Sequence, residues 1–340
     1  MGFTLSTGDM DSVCSKLLQN YRLYAPVLKT GEGRFTDTDV VRYDFANSFS
    51  EIEFDKKSDY SFKEILTPLS KTLFFFTEKQ VKEADEDERQ VIVFLRSCDI
   101  HALKRLDQIY LDNGPEDYFY KKIRNRLHFA LIGCKKTFDD CFCVSMGTNK
   151  CDEYMFSVDK DGDTVSVDIK DTSVEEAFAG VNAVKADITP AYVTENKVKV
   201  TRPTEVPLSV FKSEMWNEYN TRCLACGRCN FVCPTCTCFT MQDVYYTDNG
   251  KVGERRRVAA SCMVDGFTNV AGGGQYRKTY GERMRFKTMH KIYDFRKRFG
   301  YDMCVGCGRC DMVCPEYISF STIINKVNDT VNAENGKGDM

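Results

Sequence analysis

Proline is scarce, at 8 of 340 residues, and glycine is ordinary at 22. That excludes a collagen-like repeat, a linker-rich chain and extended disorder. A large charge of one sign is also missing: 47 Lys+Arg against 50 Asp+Glu leaves −3, so a general attraction to nucleic acid is not expected. The longest apolar runs, Leu73–Phe76 and Val91–Leu95, fall far short of the roughly 18 residues a membrane span needs. The amino terminus has no basic stretch followed by an apolar one, so no export leader is expected and the chain reads as cytoplasmic. Neither a Gly-x-Gly-x-x-Gly turn after a strand, nor a Walker loop, nor a nucleophile elbow occurs. The chain therefore has no evident site of its own for a nicotinamide or a flavin. Its three histidines, His101, His128 and His290, are isolated in sequence.

Cysteine is what the chain has in excess. There are 17, an odd number, and 11 of them lie between Cys223 and Cys314. Dense cysteine without an export signal points to metal or redox chemistry rather than to a disulfide framework. The string Cys223-Leu-Ala-Cys226-Gly-Arg-Cys229-Asn-Phe-Val-Cys233-Pro234 repeats as Cys304-Val-Gly-Cys307-Gly-Arg-Cys310-Asp-Met-Val-Cys314-Pro315. Each is the C-x2-C-x2-C-x3-C-P run of bacterial ferredoxins. Three thiolates two residues apart on a tight loop each reach a different iron of one cubane, and the fourth turns away to the neighbouring cluster. Cys223, Cys226, Cys229 and Cys314 are thus expected to hold one 4Fe–4S cluster, and Cys304, Cys307, Cys310 and Cys233 the other. A pair of zinc sites is the alternative. Zinc takes four ligands as two separated pairs, which explains a doubled four-cysteine run ending in proline poorly.

The length suits two domains. Residues 1–205 read as mixed α/β. The run Val91–Leu95, a helical pattern over His101–Tyr110 and a second run Phe129–Ile132 predict a βαβ unit with parallel strands. A hairpin is expected over Met155–Ile169. The Pro-bearing segment Lys199–Pro207 marks the boundary. Beyond it β signals fade, and residues 206–328 read as a mainly helical, ferredoxin-like two-cluster domain, with helices over Phe211–Tyr219 and Gly281–Phe299. Residues 329–340 are expected to fray. The 70 residues between Cys233 and Cys304 form a long insertion, and 251–300 carries 13 Lys+Arg against 4 Asp+Glu. That excess reads as a solvated face, as a docking surface for an acidic partner or as counter-charge to anionic clusters.

A second constellation lies earlier. Cys98 follows the first strand of the βαβ unit and Cys134 the second, which places both at the carboxyl edge of one sheet if the strands are parallel. Cys141 and Cys143 follow closely. The four are expected to hold a third 4Fe–4S cluster; the alternative is four small buried hydrophobes. Cys14 reads as core, and Cys236 and Cys238 as packing against a cluster or supplying further ligands; the sequence assigns Cys262 no role. A relay of clusters with neither electron source nor sink implies partner subunits.

Arg96-Ser-Cys98-Asp99-Ile-His-Ala-Leu103, Cys141-Phe-Cys143-Val-Ser-Met-Gly-Thr148 and Cys233-Pro-Thr-Cys236-Thr-Cys238 resemble the β subunits of sulfhydrogenases and the iron–sulfur electron-transfer subunit of anaerobic sulfite reductase. Gly253-Glu-Arg-Arg-Arg257, Ala260-Ser-Cys262-Met-Val264 and Gly306-Cys-Gly-Arg-Cys310 are more similar to the sulfite reductase protein. The resemblance runs from about Arg34 to Ile323. It implies a relay subunit without catalysis of its own, in the cytoplasm of an anaerobe. A flavin-containing subunit that oxidises NADH would feed it, and a sirohaem-containing subunit that reduces sulfite to sulfide would drain it. The near alternative is the β subunit of a sulfhydrogenase, and one of another class is an iron–sulfur sensor that binds nucleic acid. The resemblance carries the eight ferredoxin-type cysteines over one by one and supports a shared site for Cys98, Cys134, Cys141 and Cys143.

Overall fold

Val91–Leu95 has no polar face to offer water, so it can only be a strand covered on both sides. It forms the middle of a sheet, with every one of these residues buried. The computed structural model describes residues 1–33 and 37–338. Residues 34–36, where the resemblance begins, and 339–340 lie outside the described residues. Two compact units share the chain, and neither is continuous. One comprises 1–137, 149–194 and 240–259; the other 138–148, 195–239 and 260–340.

In the first unit the strands are β1 (Gly2–Ser6), β2 (Tyr21–Lys29), β3 (Val40–Ala46), β4 (Ser70–Phe76), β5 (Val81–Glu83), β6 (Gln90–Leu95), β7 (Leu127–Ile132), β8 (Phe156–Asp161), β9 (Thr164–Ile169), β10 (Val184–Lys185), β11 (Phe239–Tyr245) and β12 (Gly253–Ala259). Eight of them make one mixed sheet in the order β10-β1-β9-β8-β7-β6-β2-β3. Its centre is parallel, β2 with β6, β6 with β7 and β7 with β8, while β8 and β9 form the expected antiparallel hairpin. The helix Ser97–Tyr110 links β6 to β7, which completes the βαβ unit. At the other end the helix Thr7–Leu17 starts where the Ser6 hydroxyl accepts the Asp9 N–H at 3.0 Å. It buries Met10, Val13, Cys14 and Leu17 against the sheet core. Cys14 is fully buried there, and burial pushes its thiol up to about 12.

Strands also occur beyond residue 207, where none is expected from the sequence. β11 and β12 join β4 and β5 in a second sheet of order β11-β12-β4-β5. β11 is exposed along nearly its whole length, so it lacks the in–out hydrophobic alternation that announces a strand.

The second unit holds both ferredoxin-type runs. The helix expected over Gly281–Phe299 is present in three parts: Tyr280–Met289, a π turn over His290–Asp294, and Phe295–Phe299. Thr279 and Glu282 close its start as a capping box, and Gly300 ends it at φ +85°. Over Phe211–Tyr219 the expected helix is replaced by the 3₁₀ turns Leu208–Lys212 and Glu214–Trp216 and the short helix Glu218–Arg222. The Ser213 hydroxyl accepts the Met215 N–H at 3.3 Å and restarts the chain there. The carboxyl-terminal helix spans Phe320–Gly338 and so runs into the stretch where fraying is expected. Buried Val327 and Val331, one turn apart, anchor it beside Ile323 and Ile324. Ile324 has no exposed surface; Ile324→Ala is expected to cost about 2–5 kcal/mol, read as a lowered denaturant midpoint with unchanged slope.

Candidate metal centre

Both cysteine runs fold into the same loop because both meet the same backbone demands. Gly306 (φ +65°) and Gly308 (φ +69°) are left-handed in the second run; Ala225 (φ 53°) and Gly227 (φ +75°) occupy the equivalent positions of the first. Each loop then enters a short helix, Arg228–Phe231 or Arg309–Met312, which carries the third cysteine. Backbone amides turn toward sulfur as a consequence. The Ala225 N–H donates to Cys223 Sγ at 3.4 Å and the Ile318 N–H to Cys314 Sγ at 3.3 Å.

Two adjoining cavities open between these loops. Cys223, Cys226, Cys229 and Cys314 line the first, together with Met263, Met284, Ile318 and Phe320. Cys233, Cys304, Cys307 and Cys310 line the second, with Phe142 and Val305. Cys229 and Cys310 reach the walls of both cavities, as do Lys287 and Phe320. Each cavity thus has five thiols in its wall, among apolar side chains and a buried lysine; four thiolates are the donor set a 4Fe–4S cubane takes, so the residues fit that group. No disulfide joins any of the 17 cysteines. Burial pushes the Cys304 thiol up to about 12 and raises that of Cys310. Both would have to give up that proton on ligation, since metal binds thiolate.

The second run is braced by a segment distant in sequence. The Phe142 N–H donates to the Gly306 carbonyl at 2.8 Å, Thr148 Oγ1 to the Val305 carbonyl at 2.6 Å and Cys141 Sγ to the Cys307 carbonyl at 3.6 Å. Cys143 is buried in the same unit, with its sulfur 3.7 Å from the Asn196 side chain. Cys98 and Cys134 belong to the first unit. Cys98 sits in the first turn of the helix after β6. Cys134 lies just past β7, held by a bond from its N–H to the Ala191 carbonyl at 2.8 Å. Both stand at carboxyl ends of adjacent parallel strands.

Among the described residues, six of the thirteen cations of the basic stretch 251–300 pair with carboxylates. In the first unit Arg255 pairs with Asp243, Arg256 with Glu254, Arg257 with Asp117 and Lys251 with Glu78; in the second, Arg283 pairs with Asp265 and Arg296 with Asp302. Lys287 and Lys291 differ, being buried and turned to sulfur. Lys291 Nζ donates to Cys233 Sγ at 3.2 Å and to Thr235 Oγ1 at 2.9 Å. Burial works against the charge of Lys287, yet the sulfurs of Cys229 and Cys310 outweigh it and hold the ammonium above its usual range. The sequence offers counter-charge only for the stretch as a whole; the signal for these two is a lysine pair four residues apart on a helix with an apolar face. Cys238 and Cys262 meet as a hydrogen-bonded pair. The Cys262 thiol keeps Cys238 below the usual thiol range, while Cys262 is itself raised by that partner and by burial. Asn230 Nδ2 donates to Cys262 Sγ at 3.1 Å.

The loops, the paired cavities and the thiol sets define a dicluster iron–sulfur module. Consistently, residues 222–318 match the family described as a 4Fe-4S dicluster domain. Along its length the chain is similar to the sulfhydrogenase 2 subunit beta of Pyrococcus furiosus, with 28% identity over 334 residues, covering 93% of this chain and 95% of that protein. No solved structure matches the chain. Among the described residues no helix is long and apolar enough to cross a membrane.

Proposed function

We propose that this chain is the iron–sulfur electron-relay subunit of a multisubunit oxidoreductase of the sulfhydrogenase type. The observation that carries the reading is the pair of adjoining cysteine-lined cavities in one module. Cys223, Cys226, Cys229 and Cys314 are assigned to one 4Fe–4S cluster, and Cys304, Cys307, Cys310 and Cys233 to the other. Such clusters exchange single electrons at potentials set by charge, hydrogen bonds to sulfur and burial. The chain's residues supply all three: amides and Lys291 donate to the sulfurs, Lys287 and Lys291 bring charge, and Cys304 and Cys307 are buried. A flavin-containing subunit that oxidises NADH is the proposed source of electrons, and a hydrogen-activating subunit the proposed exchange partner.

The expected sulfite reductase assignment yields first place to this one, because the whole-length relative carries the sulfhydrogenase name. It stands as a second reading on the strings 253–257 and 260–264. Anaerobic purification of the complex from its host decides between them. Hydrogen-dependent reduction of NAD, with nickel and iron in the preparation, supports the sulfhydrogenase reading. Sulfite-dependent NADH oxidation, with sirohaem present, replaces it with the other. Clusters that NADH and the co-purified subunits fail to reduce would remove both.

A third cluster on Cys98, Cys134, Cys141 and Cys143 is proposed from the sequence pattern. Iron analysis is expected to give about 12 Fe per chain, and about 8 if only the dicluster module is filled. Cys98→Ser leaving the iron content unchanged would sink the third site.

A further inference from the structure

Two ammonium groups without a carboxylate partner among the described residues are costly to bury, yet Lys287 and Lys291 have only 4% and 3% of their surface exposed. Both come from one helical segment. Its capping box fixes the start, the π turn over His290–Asp294 carries Lys291, and the Lys291 carbonyl accepts the Met303 N–H at 2.8 Å, next to Cys304. π turns recur at functional sites. Lys291 grips the sulfur of Cys233 and the hydroxyl of Thr235, and so faces the second cavity alone. Lys287 lines both cavities, with its Nζ over the Phe320 ring, 5.1 Å from the ring centre.

We propose that Lys287 and Lys291 are the residues that set the potentials of the two clusters, Lys287 acting on both and Lys291 on the cluster that takes Cys233. A cubane held by four thiolates is anionic and gains a further negative charge on reduction. A fixed cation against its ligands therefore stabilises the reduced form more than the oxidised one, and the effect is large where water cannot screen it. The opposing charge at the second cavity is Asp311, beside Cys310, and its carboxylate already accepts from Ser319, Phe320 and Ser321. Arg228 and Glu316 at the first cavity are solvent-exposed and screened. The two lysines are positioning residues: they act through the ligand sulfurs and carry no electron themselves.

This inference rests on the two-cluster reading, and the test separates their failures. The full chain, purified or reconstituted anaerobically, is titrated with dithionite under EPR as wild type, Lys291→Met, Lys291→Arg and Lys287→Met. Lys291→Met is expected to make one cluster about tenfold harder to reduce, about 59 mV for one electron, and to leave the other in place. Lys287→Met is expected to lower both potentials, and Lys291→Arg to restore the wild-type value. Wild-type iron content with unmoved potentials in both methionine variants overturns the proposal; a wild-type chain that holds no iron overturns the cluster reading instead. Should the methionine variants lose their clusters, wild-type protein labelled with ζ-¹⁵N-lysine gives the answer. Hyperfine coupling of the label to the reduced clusters supports the assignment, and its absence from both overturns it.

Discussion

Alanine at Cys233 and alanine at Cys304 are expected to erase the same reduced-cluster EPR signal, although the two residues lie in different runs. Cys223→Ala and Cys314→Ala are expected to erase the other. The crossing follows from the loops. In each run the first three cysteines surround one cavity, while the fourth, carried past a short helix, faces the neighbouring one. Each variant should therefore lose about four iron per chain, and pairing Cys233→Ala with Cys304→Ala should lose no more than either alone. If Cys233→Ala matched Cys223→Ala instead, each run would hold its own cluster and the crossed assignment would fall.

Gly308→Ala carries the second large effect. Its backbone is left-handed, and an added Cβ would be driven into the carbonyl of Asp140, which is backbone rather than a side chain that can rotate away. At Gly306 a Cβ would stand 2.6 Å from the Phe142 carbonyl group, so the same wall covers both glycines. The left-handed conformation alone costs about 1–2 kcal/mol, and the clash must push 138–148 off the second run as well. Loss of the second cluster and a clearly lowered melting temperature are expected. Gly227→Ala is the control. There the nearest atoms are Val264 Cγ2 at 2.8 Å and Ser261 Cβ at 3.0 Å, a milder approach than the Asp140 carbonyl oxygen makes at Gly308. The backbone penalty, a small repacking cost and a retained first cluster are expected for it. Equal damage from the two substitutions would mean that the bracing segment does not matter.

Features that depend on neighbouring residues were legible in the sequence. Val91–Leu95 announces a covered strand by composition, and the two runs state their chemistry in a dozen residues each. Cys14 falls on the buried face of its helix as periodicity predicts. What was hidden depends on distant partners. Nothing within 138–148 says that it braces a loop more than 150 residues later. The exposure of β11 erased its strand pattern, and Ser213 broke a helix whose apolar spacing looked continuous. The polar composition after Lys326 masked Val327 and Val331, which continue the buried row of Phe320, Ile323 and Ile324 along the last helix. Lys287 and Lys291 were visible as charge but not as buried charge, because burial is a property of what surrounds a residue.

The pairing of β4 with β12 joins Phe76 to Gly253 and Ser70 to Val258. During synthesis, Leu73–Phe76 therefore emerges long before the strand that covers one of its edges. In that interval β5 protects the other edge only. A phenylalanine-rich strand with an open edge is a template for pairing with another chain, and slow, long-range sheets leave such edges open longest. Release of a truncated chain that stops short of residue 253 would leave that edge bare for good. The hairpin inserted between the two cysteine runs is thus the element that closes this edge, and it does so last in the order of synthesis.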